Sequence, residues 1–129
     1  MNRGSMYWAV TNDLHGGKPK ERPVIVLSTS EWCEINGSIF VVVCSHSAYS
    51  QLAYRDDLIE IPTIMSHGMG CTVQLQKRTV AVCSWVGRFS PATLRRCDKC
   101  GHVSSEFAIQ LLSKIAELHP GSDFGSLLI

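Results

Sequence analysis

Two apolar strands, each with a polar side chain at one end, dominate the hydrophobic pattern of this chain. The first covers residues 22–28 and begins with Arg22, and the second covers residues 38–45 and stops at Ser45. Apolar runs of this length, bounded by turn residues, are typical of buried strands. If the two strands are antiparallel neighbours, the start of one lies beside the end of the other, so Arg22 and Ser45 face a common surface.

A guanidinium and a hydroxyl placed together in this way suit a phosphate oxygen, because arginine offers a planar fork of donors. The same pattern also fits a small barrel in which Arg22 only covers the rim and Ser45 is an ordinary strand-end residue. The hydrophobic pattern alone leaves both interpretations open.

The remaining pattern predicts short strands followed by one clear helix. We expect further strands at residues 5–12, 57–61, 71–75 and 79–83, and helical turns at residues 29–34 and 92–96. Ser104 caps a final helix with apolar residues at helical spacing, which Pro120-Gly121 ends. Six short strands and a late helix predict a mainly β fold, a small and strongly bent antiparallel sheet or barrel that the C-terminal helix covers on one side.

The length of 129 residues suits a single domain, residues 1–129, that buries a core without disulfides. Charged residues make up only 18% of the chain, which leaves room for a dimer interface. The formal net charge of +1 excludes a bulk polycation, so a nucleic acid would have to meet a local basic surface.

Six cysteines raise the question of disulfides, but no apolar secretory segment precedes the first strand. We therefore expect a protein of the reducing cytoplasm, with Cys44 and Cys83 as small core residues inside apolar strands. No apolar run approaches the length of a bilayer span, so no membrane role is expected.

Five local strings occur along the chain in an order that is typical of one protein family. They are Arg-Gly-Ser-Met-Tyr-Trp at residues 3–8, two glycines at 16–17 followed by Arg-Pro and an apolar run at 22–28, and the strings at 41–45, 75–83 and 101–106. Together they resemble the MazF/PemK/Kid family of toxin endoribonucleases over nearly the whole chain.

The resemblance implies an SH3-like antiparallel β-barrel of the kind found in MazF, PemK and CcdB, usually a symmetric homodimer. It further implies the toxin of a type II toxin–antitoxin system, which cleaves single-stranded RNA without a metal or another cofactor. Its partners would be an antitoxin protein and, together with that antitoxin, operator DNA.

By the same resemblance, the ribose 2′-oxygen attacks the adjacent phosphorus and leaves a cyclic phosphate. The enzyme must therefore stabilise an extra negative charge and move two protons. Arg22 would supply the positive charge, and Ser45 would form a hydrogen bond to a phosphate oxygen. His15 would be the catalytic base, because an imidazole titrates near neutral pH.

Further substrate-binding candidates lie next to these residues. The loop at residues 13–20 holds glycines, a proline, Lys18 and Lys20, a composition that predicts a cationic hairpin loop. His46 directly follows Ser45 at the mouth of the next loop.

The chain departs from the family pattern at residues 84–88. Family members commonly carry an acidic residue, a glutamine and then Arg-Thr there, whereas this chain has Ser84 and Trp85 at the first two positions, and Arg88 is offset by one. In a strand, that offset points Arg88 to the opposite face. Because this chain lacks the acidic residue of the family pattern, a mechanism that depends on that carboxylate is excluded. Trp85 either stacks an RNA base or is a buried aromatic beneath the barrel, and both Trp85 and Arg88 are candidates for substrate binding.

Cys97 and Cys100, followed by His102, have the spacing of half a zinc ribbon, because two thiolates at this spacing can hold one tetrahedral ion. A structural site needs further ligands, which His102, Cys71 or a second subunit would supply. A zinc-stabilised interaction module is therefore an alternative to the enzyme.

A further class of function also fits the resemblance. The changes at residues 84–88 are consistent with a protein of the same fold that has lost catalysis and binds DNA, a regulatory partner or a topoisomerase, as the related CcdB toxins do. An open groove lined by Arg22 and Ser45 favours the enzyme, whereas a groove filled by Trp85 or Tyr49 favours the binding protein.

Overall fold

The computed structural model describes residues 2–12, 19–62 and 72–121, and these residues form one antiparallel sheet with helices packed on it. The strands are β1 (Ser5–Thr11), β2 (Lys20–Val26), β3 (Ile39–Ser45), β4 (Leu58–Glu60), β5 (Thr72–Val73), β6 (Val80–Phe89) and β7 (Lys99–His102). The helices are α1 (Ser30–Asn36), α2 (Pro91–Arg95), α3 (Ser105–Leu118) and a 3₁₀ helix over Ser47–Gln51. The predicted fold class, a curled and mainly antiparallel β structure with a C-terminal helix, is confirmed.

The strand order in the sheet is β4-β6-β3-β2-β1-β7-β5. β2 and β3 are antiparallel neighbours, and their register pairs Val24 with Val43 and Val26 with Val41. Continuing that register by two residues places Arg22 level with Ser45. β4 lies at one edge of the sheet, as expected for a strand that is followed by Pro62.

The sheet has two differently covered faces, because successive side chains of a strand point to opposite sides. The helix face carries Met6, Ile25, Val42 and Cys44, which share one core cluster with Ala108, Leu111, Leu112 and Ile115 of α3. The outer face carries Val24, Val26, Val41 and Val43 with Leu94 of α2, and beyond them Leu58, Val80 and Val82. Each fully buried leucine or isoleucine of α3 stabilises the fold by about 1.5–3 kcal/mol.

Local capping explains where the helices begin and end. Thr29 caps α1 by accepting a hydrogen bond from the Trp32 amide, and Gly37 ends α1 in the left-handed region at φ 66°. Ser104 caps α3 in the same way. None of the helices in the described part of the chain is long and apolar enough to cross a bilayer.

The structure corrects the predicted strands in several places. β6 continues to Phe89 instead of ending at Cys83, because its second half pairs with the first half of β3. Residues 99–102 form a seventh strand that pairs with β1 and β5, and residues 47–51 form a 3₁₀ helix that the pattern did not predict. The strand predicted at 71–75 is reduced to Thr72–Val73, with Cys71 outside the described residues. Cys44 and Cys83 are buried in the core, as predicted.

β7 fits between β1 and β5 only because Gly101 has no side chain. Its φ is +129°, and a Cβ atom there would collide with the Thr72 carbonyl oxygen and lie 2.9 Å from the Val73 Cα. We expect Gly101→Ala to lower the free energy of unfolding by at least about 2 kcal/mol, through strain and overpacking. Urea unfolding followed by tryptophan fluorescence measures this change.

Gly37→Ala is the matched control. Gly37 also has a positive φ, +66°, but a Cβ atom there would meet nothing within 4 Å. Gly37→Ala should therefore lower the free energy of unfolding only by the conformational strain, about 1–2 kcal/mol. Equal losses in the two variants would contradict the steric role of Gly101.

Candidate functional site

The guanidinium of Arg22 is fixed at two points on the outer face. Arg22 pairs with Ala9 of β1, and its Nη1 donates to the carbonyl oxygen of Thr11 at 2.8 Å and to the Thr11 Oγ1 at 3.0 Å. Its Cζ lies 4.8 Å from the ring centroid of Trp85, which is cation–π geometry. Within the described part of the chain, Nη1 is the donor in every hydrogen bond of this guanidinium. The edge formed by Nε and Nη2 is therefore available to an anion.

The hydroxyl of Ser45 is fixed by the turn that follows β3. Ser45 is half-buried and pairs with Val80 of β6. Its Oγ accepts a hydrogen bond from the Ala48 amide at 3.3 Å and lies 3.0 Å from the Ser47 Oγ. If the Ser47 hydroxyl donates in that second bond, both acceptor positions of Ser45 are occupied and its hydrogen remains available to an anion.

Arg22 and Ser45 lie on the outer face of neighbouring strands, just beyond the last paired residues of β2 and β3, Val24 and Val43. Arg22 follows the alternation of Val24 in β2, and Ser45 follows that of Val43 in β3. β2 and β3 are therefore antiparallel neighbours, as the hypothesis assumes. Each of the two side chains is anchored by its own partners.

A bulge in β6 places Trp85 next to Arg22 on the outer face. The pairing of β6 with β3 changes register between Val82, which lies opposite Val43, and Val86, which lies opposite Val42. The intervening residues 83–85 therefore form a three-residue bulge, a feature that re-aims side chains in a strand. Trp85 is half-buried, packs against both apolar clusters of the outer face and lies beneath the guanidinium of Arg22.

A carboxylate that the sequence analysis missed holds the bulge in place. The Ser84 Oγ donates to the Asp57 Oδ2 at 2.7 Å, and the Cys83 amide donates to the Asp57 carbonyl oxygen at 2.8 Å. Arg55 grips the same carboxylate with its Nε at 2.9 Å and its Nη2 at 2.7 Å. The hydrogen bonds from Arg55, and then that from Ser84, lower the pKa of Asp57, although partial burial opposes them.

This network connects the anchor of Ser45 to that of Arg22. The Arg55 Nη1 donates to the Gln51 Oε1 at 2.8 Å, and Gln51 is the last residue of the 3₁₀ helix whose Ala48 amide donates to the Ser45 Oγ. From Arg55 the contacts continue through Asp57 and Ser84 to Trp85 and Arg22. One continuous set of contacts therefore positions both candidate residues.

Known structures give the fold a name, although sequence comparison does not. No protein-family model matches the chain, and no curated protein matches it. Among solved structures, a MazE–MazF structure (form II) from Deinococcus radiodurans matches with a TM-score of 0.65 and 14% identity, over 95% of this chain and 97% of that one.

Two further structures from the same organism agree. MazF in form I has a TM-score of 0.63 and 12% identity, over 91% of this chain and 93% of that one. MazE–MazF in form III has a TM-score of 0.57 and 13% identity, over 92% and 94%. The chain has the fold of MazF. At these low identities the likeness shows the fold and leaves the site residues to be argued from their geometry.

Other predicted site residues lie elsewhere in this MazF fold. Arg88 pairs with Phe40 on the helix face, where its Cζ lies 5.4 Å from the ring of Trp32, so the structure does not bring it to Arg22. Lys20 and His46 are exposed and line a cavity together with Trp8 and Leu75 of the helix face. His15 and Lys18 lie outside the described residues.

The three candidate zinc ligands do not come together. The Cys97 Sγ donates to the Thr93 carbonyl oxygen at 3.3 Å and packs on the outer face, whereas Cys100 is buried in the core of the helix face. Burial raises the pKa of Cys100 to about 11, which disfavours the thiolate that zinc needs. Within residues 2–12, 19–62 and 72–121, no group of three or more His, Cys, Asp or Glu side chains could hold a metal ion.

The network around Asp57 predicts a pH-dependent contribution to stability. Because the pKa of Asp57 is lowered in the folded state, its contribution is complete above the ordinary carboxyl pKa of about 4 and is lost as the pH falls through the lowered value. We expect Asp57→Asn to lower the free energy of unfolding by about 1–3 kcal/mol at pH 7, since it weakens hydrogen bonds to a charged group.

Urea unfolding between pH 7 and pH 3 measures the effect, and the difference from the unchanged protein should shrink below pH 4. Glu60→Gln is the matched control, because the Glu60 carboxylate also pairs with an arginine, Arg78, at a more exposed place. It should change stability by less than about 1 kcal/mol. If the loss of unfolding free energy in Asp57→Asn stayed constant down to pH 3, the charge of Asp57 would not be the cause of the loss.

Proposed function

We propose that this chain is the toxin of a type II toxin–antitoxin system and that it cleaves single-stranded RNA. One observation carries the proposal. In a MazF fold, the Arg22 guanidinium is held by Thr11 and Trp85 with its Nε–Nη2 edge turned to no protein acceptor in the described residues, and Ser45 lies on the same face of the neighbouring strand. A preorganised fork beside a hydroxyl is a site for a phosphate.

The proposed reaction makes use of that fixed orientation. The ribose 2′-oxygen attacks the adjacent phosphorus while its proton passes to a base, and the 5′-oxygen of the next nucleotide leaves with a proton. The products are a 2′,3′-cyclic phosphate and a free 5′-hydroxyl. Arg22 would bind two phosphate oxygens as negative charge develops on them, without having to reorient at that moment. Ser45 would donate to a phosphate oxygen, and His15 is the proposed base.

We also propose an antitoxin protein as partner, bound alone or together with operator DNA. Two of the matching structures are described as MazE–MazF, which supports a partner of this kind for a chain of the same fold.

The substitution Arg22→Lys tests the catalytic role. It keeps the charge but removes the planar fork, so we expect the cleavage rate to fall by about a hundredfold to a thousandfold. The free energy of unfolding should fall by no more than about 1–2 kcal/mol, through the weakened contacts to Thr11 and Trp85. The assay incubates the protein with mixed-sequence RNA in EDTA and maps fragments with cyclic phosphate ends.

Arg78→Lys is the matched control, because the Cζ of Arg78 also lies 4.8 Å from an aromatic ring, that of Tyr49. It should cleave RNA at the unchanged rate. If Arg22→Lys lost stability and cleavage in proportion, Arg22 would be a structural residue of the rim. If the unchanged protein cleaved no faster than Arg22→Ala, the proposed activity would be wrong.

A homodimer is part of the same proposal. Several apolar side chains have no cover within the described chain, among them Ile35 of α1, which is 83% exposed, and Val10 of β1, which is 63% exposed. α1 has no buried residue at all. We expect light scattering after size exclusion to give twice the chain mass of 14.2 kDa at micromolar concentration. A mass of one chain would contradict the dimer.

A second candidate, a binding protein without catalysis, is supported by the local use of the same side chains. The Ser45 Oγ accepts a hydrogen bond from the Ala48 amide of the 3₁₀ helix, and Trp85 lies directly beneath Arg22. Such a protein would bind DNA, a regulatory partner or a topoisomerase. RNA binding without cleavage in the assay above would favour this candidate.

A further inference from the structure

The indole ring of Trp85 lies where it can set the plane of the Arg22 guanidinium. The Arg22 Cζ is 4.8 Å from the ring centroid, and Nη1 of the same guanidinium donates to the Thr11 carbonyl oxygen at 2.8 Å. A hydrogen bond at one nitrogen still lets the group turn about that contact, whereas an aromatic face beneath a planar guanidinium opposes the turn. Thr11 therefore fixes one end of the group, and Trp85 fixes the direction of its Nε–Nη2 edge.

The ring of Trp85 is itself held in place by the outer face. It packs against the cluster that contains Val24 and Val43 and against the cluster that contains Leu58 and Val82. A side chain that is packed against two clusters has little freedom to follow a moving arginine. The ring therefore positions the guanidinium, and the guanidinium does not position the ring.

The backbone directly before the ring is also fixed. The Cys83 amide donates to the Asp57 carbonyl oxygen at 2.8 Å, and the Ser84 Oγ donates to the Asp57 Oδ2 at 2.7 Å. Two hydrogen bonds to one residue therefore hold the bulge from which Trp85 projects. A group that orients another needs such support of its own.

The same contacts argue against an RNA base on this ring. The guanidinium of Arg22 already lies over the ring of Trp85, and the rest of the half-buried side chain packs on apolar neighbours. A base that stacked on the face beneath Arg22 would have to displace the arginine from the position in which Thr11 holds it.

We propose that Trp85 is a positioning residue for the reaction, which orients Arg22 and does not contact the RNA. The inference rests on the proposed function and adds the group that sets the direction of the phosphate-binding edge. The family pattern has a glutamine at this position, and here the face of an aromatic ring takes its place. An arginine that is oriented beforehand need not be ordered while charge develops on the phosphate.

Three substitutions separate the ring face from the other properties of this residue. Trp85→Leu keeps an apolar side chain but removes the aromatic face, so kcat should fall by about tenfold while KM changes by less than about twofold. Trp85→Phe keeps a smaller ring and should lower kcat by only about threefold. Ser84→Ala keeps the ring but releases the bulge from Asp57, and it should also lower kcat by about threefold.

The Arg22→Lys background distinguishes positioning from a structural role. An ammonium group has no plane for the ring to orient, so Trp85→Leu should lower kcat by less than about a further twofold in that background. Trp32→Leu is the matched control, because Trp32 is also half-buried and lies 5.4 Å from the Cζ of another arginine, Arg88, on the helix face. Trp32→Leu should lose stability in urea without any loss of kcat.

NMR measures the orientation of Arg22 without any need for cleavage. The Arg22 Nε–Hε signal, identified by its absence in Arg22→Lys, should be displaced upfield by the ring current of Trp85. It should move downfield in Trp85→Leu and stay in place in Trp32→Leu. Fluorescence anisotropy with a short 2′-O-methyl RNA, whose attacking hydroxyl is blocked, gives RNA affinity, which Trp85→Leu should change by less than about twofold.

The outcomes separate this inference from the proposed function. A kcat loss that disappears in the Arg22→Lys background, together with a displaced Arg22 signal, supports positioning. An equal kcat loss in both backgrounds overturns it and leaves the proposed function standing. A fall in RNA affinity for Trp85→Leu in both backgrounds would assign the ring to an RNA base and also overturn it.

A protein that cleaves nothing would refute the proposed function, and the NMR signal would then decide about the ring alone. An Arg22 signal that moves in Trp85→Leu, and that shifts in the unchanged protein when the blocked RNA is added, would still support a ring that orients an anion-binding arginine. An Arg22 signal that does not move in Trp85→Leu overturns the inference, whether or not the protein cleaves RNA.

Discussion

The change of register between β3 and β6 joins the core of the sheet to the candidate site. On the helix face, Val42 and Cys83 stay in the core on either side of the shift, so the hydrophobic pattern is kept. The three extra residues leave the ladder, and the Cys83 amide and the Ser84 hydroxyl form hydrogen bonds to Asp57 instead. Without that partner the bulge would carry buried polar groups at a cost of about 1–3 kcal/mol each. The position of Trp85, and through it that of Arg22, depends on this exchange of partners.

Parts of the fold that local chemistry determines could be predicted from the sequence. Thr29 and Ser104 cap helices because their side chains reach an amide three residues ahead, and Gly37 ends α1 because it accepts a positive φ. The antiparallel pairing of β2 and β3 could be predicted from two successive apolar runs. The bulge, the strand at 99–102 and the role of Asp57 could not be predicted in this way. Each depends on pairing between distant segments, and a period-two pattern does not show where a ladder slips.

The contacts of residues 84–88 change how their departure from the family pattern is interpreted. Along the sequence, Ser84 and Trp85 replace an acidic residue and a glutamine and suggest a lost function. In the structure, the Ser84 hydroxyl binds a carboxylate that comes from Asp57, and Trp85 orients an arginine by its ring face. A carboxylate is thus present beside position 84, although it is paired with Arg55 and holds the backbone. Asp57 therefore positions the site, whereas the acidic residue of the family pattern would take part in the chemistry.

Arg22 is held differently from an arginine that only covers the rim of a sheet. A rim arginine needs only its apolar stem packed and its charged head in water. Arg22 has instead lost freedom in two directions, since the Thr11 oxygens fix one nitrogen and the Trp85 ring fixes the plane. Ordering so long a side chain costs about 1.5–2 kcal/mol of conformational entropy, which surface contacts of this kind barely offset. The remaining edge of the fork has the charge and geometry to bind a phosphate, which is the basis of the proposed role.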